Sequence, residues 1–324
     1  MRAVVLREHG GPEVLQVEEV PDPVPGPEEA LVAVRATALN RADVLQRMGM
    51  YPGPRAALEI PGLELAGTVV ELGERCSHLA VGDQVMGIVG GGAYAERVVV
   101  HERQLMPVPE AVGVDDAAAI PEVFLTAWDA LVVQGGLTSG RRALVHAGGS
   151  GVGTAGIQIA KAIGAFVAVT CSAGKVAACR ALGADWVFER SPNDWRAEAL
   201  DAVPGGFDVV LDVIGGEELD RNLDVVALQG RILQVGMMGG AVTPINLGKL
   251  VAKRAGIIGT ALRVRPLEQK IALSQRFTRE VVPLFETGAV RAVIDTRFPL
   301  DDVQAAHRHM EADANIGKIL LDVQ

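Results

Sequence analysis

The sequence holds no apolar run approaching the ~18 residues needed to cross a bilayer, although 49% of its 324 residues are hydrophobic. A membrane-spanning helix is excluded, and the apolar residues are available for a core. Cysteine is scarce. Cys76, Cys171 and Cys179 are scattered and odd in number, which excludes a disulfide framework and leads us to expect a reducing, cytoplasmic setting. Positive charge is in deficit: 30 Lys and Arg face 40 Asp and Glu, a net charge of −10, which argues against nucleic acid as a partner. The start, Met1-Arg2-Ala3-Val4-Val5-Leu6, meets Arg7 and Glu8 too soon for a signal peptide. Metal ligands do not cluster either. His9, His78, His101, His146, His307 and His309 are dispersed, and His307 and His309 fall on different faces of an expected helix, so no zinc site is expected.

What is present is most informative at Leu144-Val145-His146-Ala147-Gly148-Gly149-Ser150-Gly151-Val152-Gly153-Thr154-Ala155-Gly156. An apolar run ends in a Gly/Ser turn, and an apolar-periodic segment follows from Ile157 to Ile163. The order strand, tight turn, helix suits a dinucleotide pyrophosphate: small residues let the backbone approach, and the helix start offers N–H groups and positive dipole. A literal GxGxxG occurs at Gly151, Gly153 and Gly156, and a second strand, Phe166-Val167-Ala168-Val169, completes the unit.

An absence then speaks to the cofactor. The acid that usually closes the second strand and binds the ribose 2′-OH is missing from Thr170-Cys171-Ser172-Ala173-Gly174-Lys175, and the next one is Asp185. Ser172, Lys175 and Arg190 offer groups for a 2′-phosphate instead, so NADPH is expected rather than NADH.

The first third reads as short β-branched runs at 3–6, 30–36, 67–71, 84–89 and 95–100, separated by Gly/Pro turns such as Pro21-Asp22-Pro23-Val24-Pro25-Gly26-Pro27. That pattern suggests a partly closed antiparallel barrel with a short helix over 39–47. A helical stretch over 115–131 follows. Strands at 142–146, 166–169, 186–188, 207–212, 230–235 and 257–261 then alternate with helices at 152–163, 175–182 and 217–227, the signature of a doubly wound parallel sheet. Helix over 267–285, strand over 292–299, a helix from Asp301 and a strand over 318–322 close the chain. The fold class is α/β.

Further segments run along the whole chain: Ala38-Leu39-Asn40-Arg41-Ala42-Asp43, Gln46-Arg47 with Gly49 and Tyr51, Ala118-Ala119-Ile120-Pro121-Glu122, Leu125-Thr126-Ala127 and Asn315-Ile316-Gly317-Lys318-Ile319. With the nucleotide turn, they resemble the zinc-independent medium-chain dehydrogenase/reductase superfamily, and within it the zeta-crystallin-type quinone oxidoreductases. The resemblance implies a GroES-like catalytic domain over 1–122 and 265–324, a Rossmann NADPH-binding domain over 123–264, and a homodimer. It puts the nucleotide motif on Ala147, Ser150 and Gly153, three residues out of register with the literal GxGxxG.

Carried over residue by residue, the resemblance puts Ala147, Gly148, Ser150, Gly151, Val152 and Gly153 at the pyrophosphate turn. Asn40, Thr126, Gly236, Met237, Asn315 and Lys318 would stand about the rest of the cofactor, with Tyr51 and Asn40 as catalytic groups. Each has a bland alternative: Asn40 caps a helix, Tyr51 packs a loop beside Pro52-Gly53-Pro54, Thr126 bonds back to its own helix, Ser150 is a small turn residue. Arg41 and Asp43 read as a local structural pair. The alcohol dehydrogenases of the superfamily hold zinc, but Asn40 stands at the first ligand position and Gly62-Leu63-Glu64 replaces Gly-His-Glu. Without a Lewis acid the acceptor must delocalise charge itself, as a quinone or conjugated enone does. The expected activity is hydride transfer from NADPH to a quinone between the domains. An enone or 2-alkenal reductase and a non-catalytic NADPH-binding protein are the alternatives.

Overall fold

β-Branched runs punctuated by Gly and Pro form strands, not helices, through the first hundred residues. The computed structural model describes residues 1–51, 58–191 and 194–323; the Pro52-Gly53-Pro54 loop lies outside them. Two units result, Met1–Leu125 with Arg263–Gln324, and Thr126–Leu262.

In the first unit β1 (Arg2–Leu6) and β2 (Leu15–Glu19) form an antiparallel pair. The long β3 (Glu29–Ala38) organises the rest. One of its edges carries β4 (Glu64–Leu72), which pairs β5 (Gln84–Ile88), which pairs the short β7 (Met106–Pro107). The other edge is shared: β6 (Arg97–His101) pairs residues Glu29 to Ala33. The remaining stretch, Ala36 to Ala38, receives a strand from the far end of the sequence. Inward positions are apolar: Val32, Val34, Leu65, Val69, Val85, Tyr94 and Val98 are buried together. Each fully buried aliphatic side chain contributes about 1.5–3 kcal/mol.

The second unit is a six-stranded parallel sheet built from β8 (Arg142–His146), β9 (Phe166–Cys171), β10 (Trp186–Glu189), β11 (Phe207–Asp212), β12 (Val226–Gln234) and β13 (Gly256–Gly259). Its order, β10-β9-β8-β11-β12-β13, is doubly wound and reverses at β8, so a ligand is expected outside the carboxyl end of that strand. His146 at the end of β8 is a satisfied core histidine. Its ring lies 2.8 Å from the Thr170 hydroxyl and 2.7 Å from Asn222 Oδ1, and the Asn222 amide donates to Asp212.

The remaining strands, β14 (Ile294–Pro299) and β15 (Lys318–Asp322), return to the first unit, where β15 pairs antiparallel with the open stretch of β3.

Several expectations need correction. The polar strand β2 and the helices Trp195–Ala202 and Leu247–Lys253 were not anticipated. The helix expected over 217–227 stops at Val225, where β12 begins. The stretch over 115–131 is broken into Val114–Ala117, Pro121–Trp128 and a π-helical turn Asp129–Gln134. Pro121 causes the first break, since it lacks an N–H and biases its predecessor out of the helical region. Arg41 pairs with Asp313, not with Asp43.

Asp43 instead holds the start of the helix Arg41–Arg47, accepting from the backbone N–H of Asn40 (2.8 Å) and of Gly62 (3.2 Å). Burial lifts its carboxyl to about 6. An acid whose folded value lies above its unfolded one, about 4, binds more protons when native across that window. Stability therefore falls as pH rises from about 4 to about 6, by about 3 kcal/mol for this group, and stays lower above. Thermal melting of the protein and of Asp43→Asn across pH 4–7 tests this. The unsubstituted protein should lose stability relative to the variant as pH rises; parallel curves would contradict it.

Candidate cofactor and acceptor sites

Residues Ala147 to Ser150 form the turn that leaves β8. The Gly148 N–H donates to Thr170 O (2.9 Å) and the Ser150 N–H to Ala147 O (2.8 Å). Ala147 sits at φ 55°, an uncommon conformation for a residue with a Cβ, held by these flanking bonds. The helix Gly151–Ala162 starts here, with the Ser150 hydroxyl capping it by accepting from the Gly153 N–H at 3.0 Å. The N–H groups of Gly151 and Val152, in the first turn, have no intrahelical acceptor. Glycine at 153 is sterically demanded, because a Cβ there would strike the Ala147 carbonyl and Gly148 backbone. The turn thus falls on Ala147, Ser150 and Gly153, while Gly151 and Gly156 of the literal GxGxxG lie within the helix.

The groups expected at a 2′-phosphate gather at the end of β9. Ser172 is exposed, and the stem of Lys175 lies across Gly149, where a Cβ would meet its Cδ at 2.5 Å. Arg190 is exposed and tied to the same point by its backbone N–H, which donates to Cys171 O at 2.9 Å. Sequence reasoning overlooked one acid nearby, Glu189, which is paired in register with Cys171. Being paired with Cys171, Glu189 shares its face of the sheet. In the same unit the Thr126 hydroxyl, nearly buried, makes no hydrogen bond among the described residues, so it is not spent on its own helix. Gly236 is pressed against the Val213 carbonyl, and Met237 beside it is 62% exposed.

In the first unit the structure assembles a buried polar cluster. Glu64, fully buried at the start of β4, accepts through Oε1 from Asn40 Nδ2 (2.8 Å) and Lys318 Nζ (2.8 Å). Its Oε2 accepts from the Glu122 N–H (2.7 Å). Lys318 Nζ also donates to Leu39 O and Asn40 Oδ1, both at 2.7 Å, so all three ammonium hydrogens are engaged. This bears on two expectations. Lys318 has no N–H left for a cofactor in this arrangement. The Asn40 amide retains no free donor, since Nδ2 also reaches Ala38 O at 3.3 Å, while Oδ1 accepts from Lys318. Asn315 uses its amide on Gly317 O at 2.8 Å.

Tyr51 lies under the guanidinium of Arg263, 4.8 Å from ring centroid to Cζ. Burial pushes its phenol up, so the hydroxyl is a donor at neutral pH. Arg263 is held by Gly90 O and Gln46 Oε1, each at 2.8 Å. Glu64 and Arg263 were both missed as site residues. A lone acid in the apolar run Gly62-Leu63-Glu64-Leu65-Ala66 was the available signal, since such a carboxylate demands partners. Nothing local marks Arg263.

The residues do not fit a zinc ion. The first ligand position is Asn40, already bonded to a lysine ammonium; the histidine position is the buried Leu63. Among the described residues no three His, Cys, Asp or Glu side chains are grouped to hold a metal.

The chain matches the model of the alcohol dehydrogenase GroES-like domain over residues 26–110 and that of the zinc-binding dehydrogenases over residues 182–321. It is 36% identical over 294 residues to a phenolphthiocerol synthesis polyketide synthase type I of Mycobacterium bovis, a match taking in 90% of this chain and 13% of that protein. A solved NAD-dependent alcohol dehydrogenase is similar at TM-score 0.88 and 32% identity over 100% of both chains. The quinone oxidoreductase of Escherichia coli, solved in complex with NADPH, is similar at TM-score 0.90 and 28% identity, again over 100% of both. Two matching domain models and full-length likeness to dehydrogenases and reductases make this chain a member of the medium-chain dehydrogenase/reductase superfamily, an oxidoreductase with a GroES-like and a Rossmann-type unit.

Proposed function

We infer that the protein is an NADPH-dependent quinone reductase that works without a metal. The observation that carries the cofactor choice is the set Ser172, Lys175 and Arg190 about the end of β9, where Lys175 lies across the Gly149 turn and Arg190 is tied to Cys171. The similar Escherichia coli quinone oxidoreductase was solved with NADPH, which supports the same choice. We assign cofactor binding to the second unit and acceptor binding to the first, and we place the protein, with its three free thiols, in a reducing cytoplasm.

The N–H groups of Gly151 and Val152 receive the pyrophosphate, with Ala147, Gly148, Ser150 and Gly153 keeping the turn tight. Thr126, Gly236 and Met237 flank the nicotinamide. When bound, NADPH supplies two electrons and one hydrogen as hydride. Tyr51 donates a hydrogen bond to the acceptor oxygen as negative charge builds there. Asn40, oriented by Glu64 and Lys318, offers its remaining Oδ1 lone pair to the nicotinamide amide. Glu64 and Lys318 are positioning residues.

A second reading, reduction of a conjugated enone or enoyl thioester, is favoured by the 36% identity to the polyketide synthase. An acceptor screen at fixed NADPH separates the two. We also propose a homodimer. The strand β13, Gly256-Ile257-Ile258-Gly259, pairs on one side only among the described residues, with β12. Its open edge is suited to a two-fold partner strand.

Three outcomes are expected. NADPH should be preferred to NADH by roughly ten- to hundredfold in kcat/KM, since a charge-assisted contact is worth about 1.5–3 kcal/mol. Lys175→Ala should remove most of that preference while leaving NADH nearly unaffected, and equal kcat/KM values for the two cofactors in the unsubstituted protein would refute the assignment. Glu64→Gln should cost about 3–5 kcal/mol by leaving the Lys318 charge buried and unpaired. Denaturant unfolding should show the double variant Glu64→Gln/Lys318→Met recovering part of that loss; a strictly additive loss would deny the coupling. Light scattering at micromolar concentration should return the mass of a dimer, and a monomer's mass would rule out the β13 interface.

A further inference from the structure

Arg263 and Lys270 stand out in a chain of net charge −10. Arg263 lies just before the helix Leu267–Glu280, and Lys270 is in the helix's first turn. Carboxylates are plentiful, yet among the described residues the partners of the Arg263 guanidinium are neutral: the Gly90 carbonyl, the Gln46 amide oxygen and the Tyr51 side chain. The Gln46 oxygen is aimed at Arg263 because its Nε2 donates to Glu59 Oε1 at 3.0 Å. Arg263 Nη1 is buried and has no acceptor among the described residues. Lys270 also makes no side-chain hydrogen bond or ion pair among them. It is half-buried, and burial first, then the charge of Arg263, hold its ammonium below the usual lysine range.

A buried, unfilled guanidinium donor beside a tyrosine, with the partly desolvated Lys270 in the first turn of the helix that follows, forms an arrangement that an anion relieves. The geometry points to a carboxylate site beside Tyr51, formed by Arg263 Nη1 and Lys270 Nζ, that selects acceptors bearing a carboxylate on a side chain. The class follows from the donor edge. Among the described residues Nη1 meets no acceptor and Nη2 gives one hydrogen to Gln46, so the guanidinium end offers a pair of N–H groups that matches the two oxygens of one carboxylate. The inference rests on the reading that Tyr51 faces the acceptor.

The test compares 3-(1,4-naphthoquinon-2-yl)propanoate with its methyl ester, which differ in charge and not in the reducible ring. At saturating NADPH the acid should exceed the ester in kcat/KM by about tenfold or more, the size expected of one charge-assisted contact. Lys270→Gln should cut the acid-to-ester ratio by about tenfold, and Lys270→Glu should push it below one; melting curves check that both variants fold. Binding of 3-(1-naphthyl)propanoate, which cannot be reduced, is measured in parallel by titration calorimetry and should weaken about tenfold in Lys270→Gln. An acid-to-ester ratio near one with brisk quinone turnover would overturn the site and leave the quinone reading standing. Naphthylpropanoate binding that depends on Lys270, with no quinone reduced, would uphold the site and remove the quinone reading. Absence of Lys270-dependent binding together with absence of turnover would overturn both.

Discussion

One carboxylate sealed from water sets the terms for the first unit. Three N–H donors converge on Glu64, from Asn40, Lys318 and the Glu122 backbone. Each donor belongs to a different stretch of sequence, so satisfying the charge fixes three elements at once: the residue ahead of the helix Arg41–Arg47, the start of the helix Pro121–Trp128 and the head of β15. A buried ion whose partners shift is left uncompensated, and the penalty makes the arrangement all-or-none. The orientation of the Asn40 amide follows from it.

The second unit is organised differently. Its binding turn is shaped by steric exclusion more than by charge. Gly148 and Gly153 allow no side chain against Val169 and the Ala147 carbonyl, and the helix beyond exposes uncapped N–H groups as a consequence of starting there. A backbone anion site of this kind needs no ionised residue, which leaves the charged groups at the end of β9 free to discriminate between cofactors.

That contrast explains what was legible. The nucleotide unit is local: strand, turn and helix follow one another in sequence, so β8 to β12 and the turn at Ala147–Gly153 could be read directly. The polar strand β2, Leu-Gln-Val-Glu-Glu, lacks the β-branched density that marks a strand. The helix Leu247–Lys253 is short and buries none of its residues, so no apolar stripe announces it. The candidate residues Asn40, Tyr51 and Lys318 were identified, but their partners were not. Glu64 and Lys318 are far apart in sequence, as are Tyr51 and Arg263, and no periodicity links such positions. The engagement of the Lys318 ammonium by Leu39, Asn40 and Glu64 was illegible for this reason: a cation's free valence cannot be counted until its neighbours are known.

The pairing of β15 with β3 joins Leu320 to Ala38 across most of the chain, while Thr126–Leu262 is one uninterrupted stretch. During synthesis on the ribosome the nucleotide sheet can close from residues already made. The earlier unit must wait, with an open strand edge at Ala36–Ala38 and a carboxylate lacking its ammonium, until the final strand emerges. Loop closure over such a span is slow, and open edges are the surfaces through which nascent chains aggregate. The cost of dividing one domain around another thus falls on the half that waits.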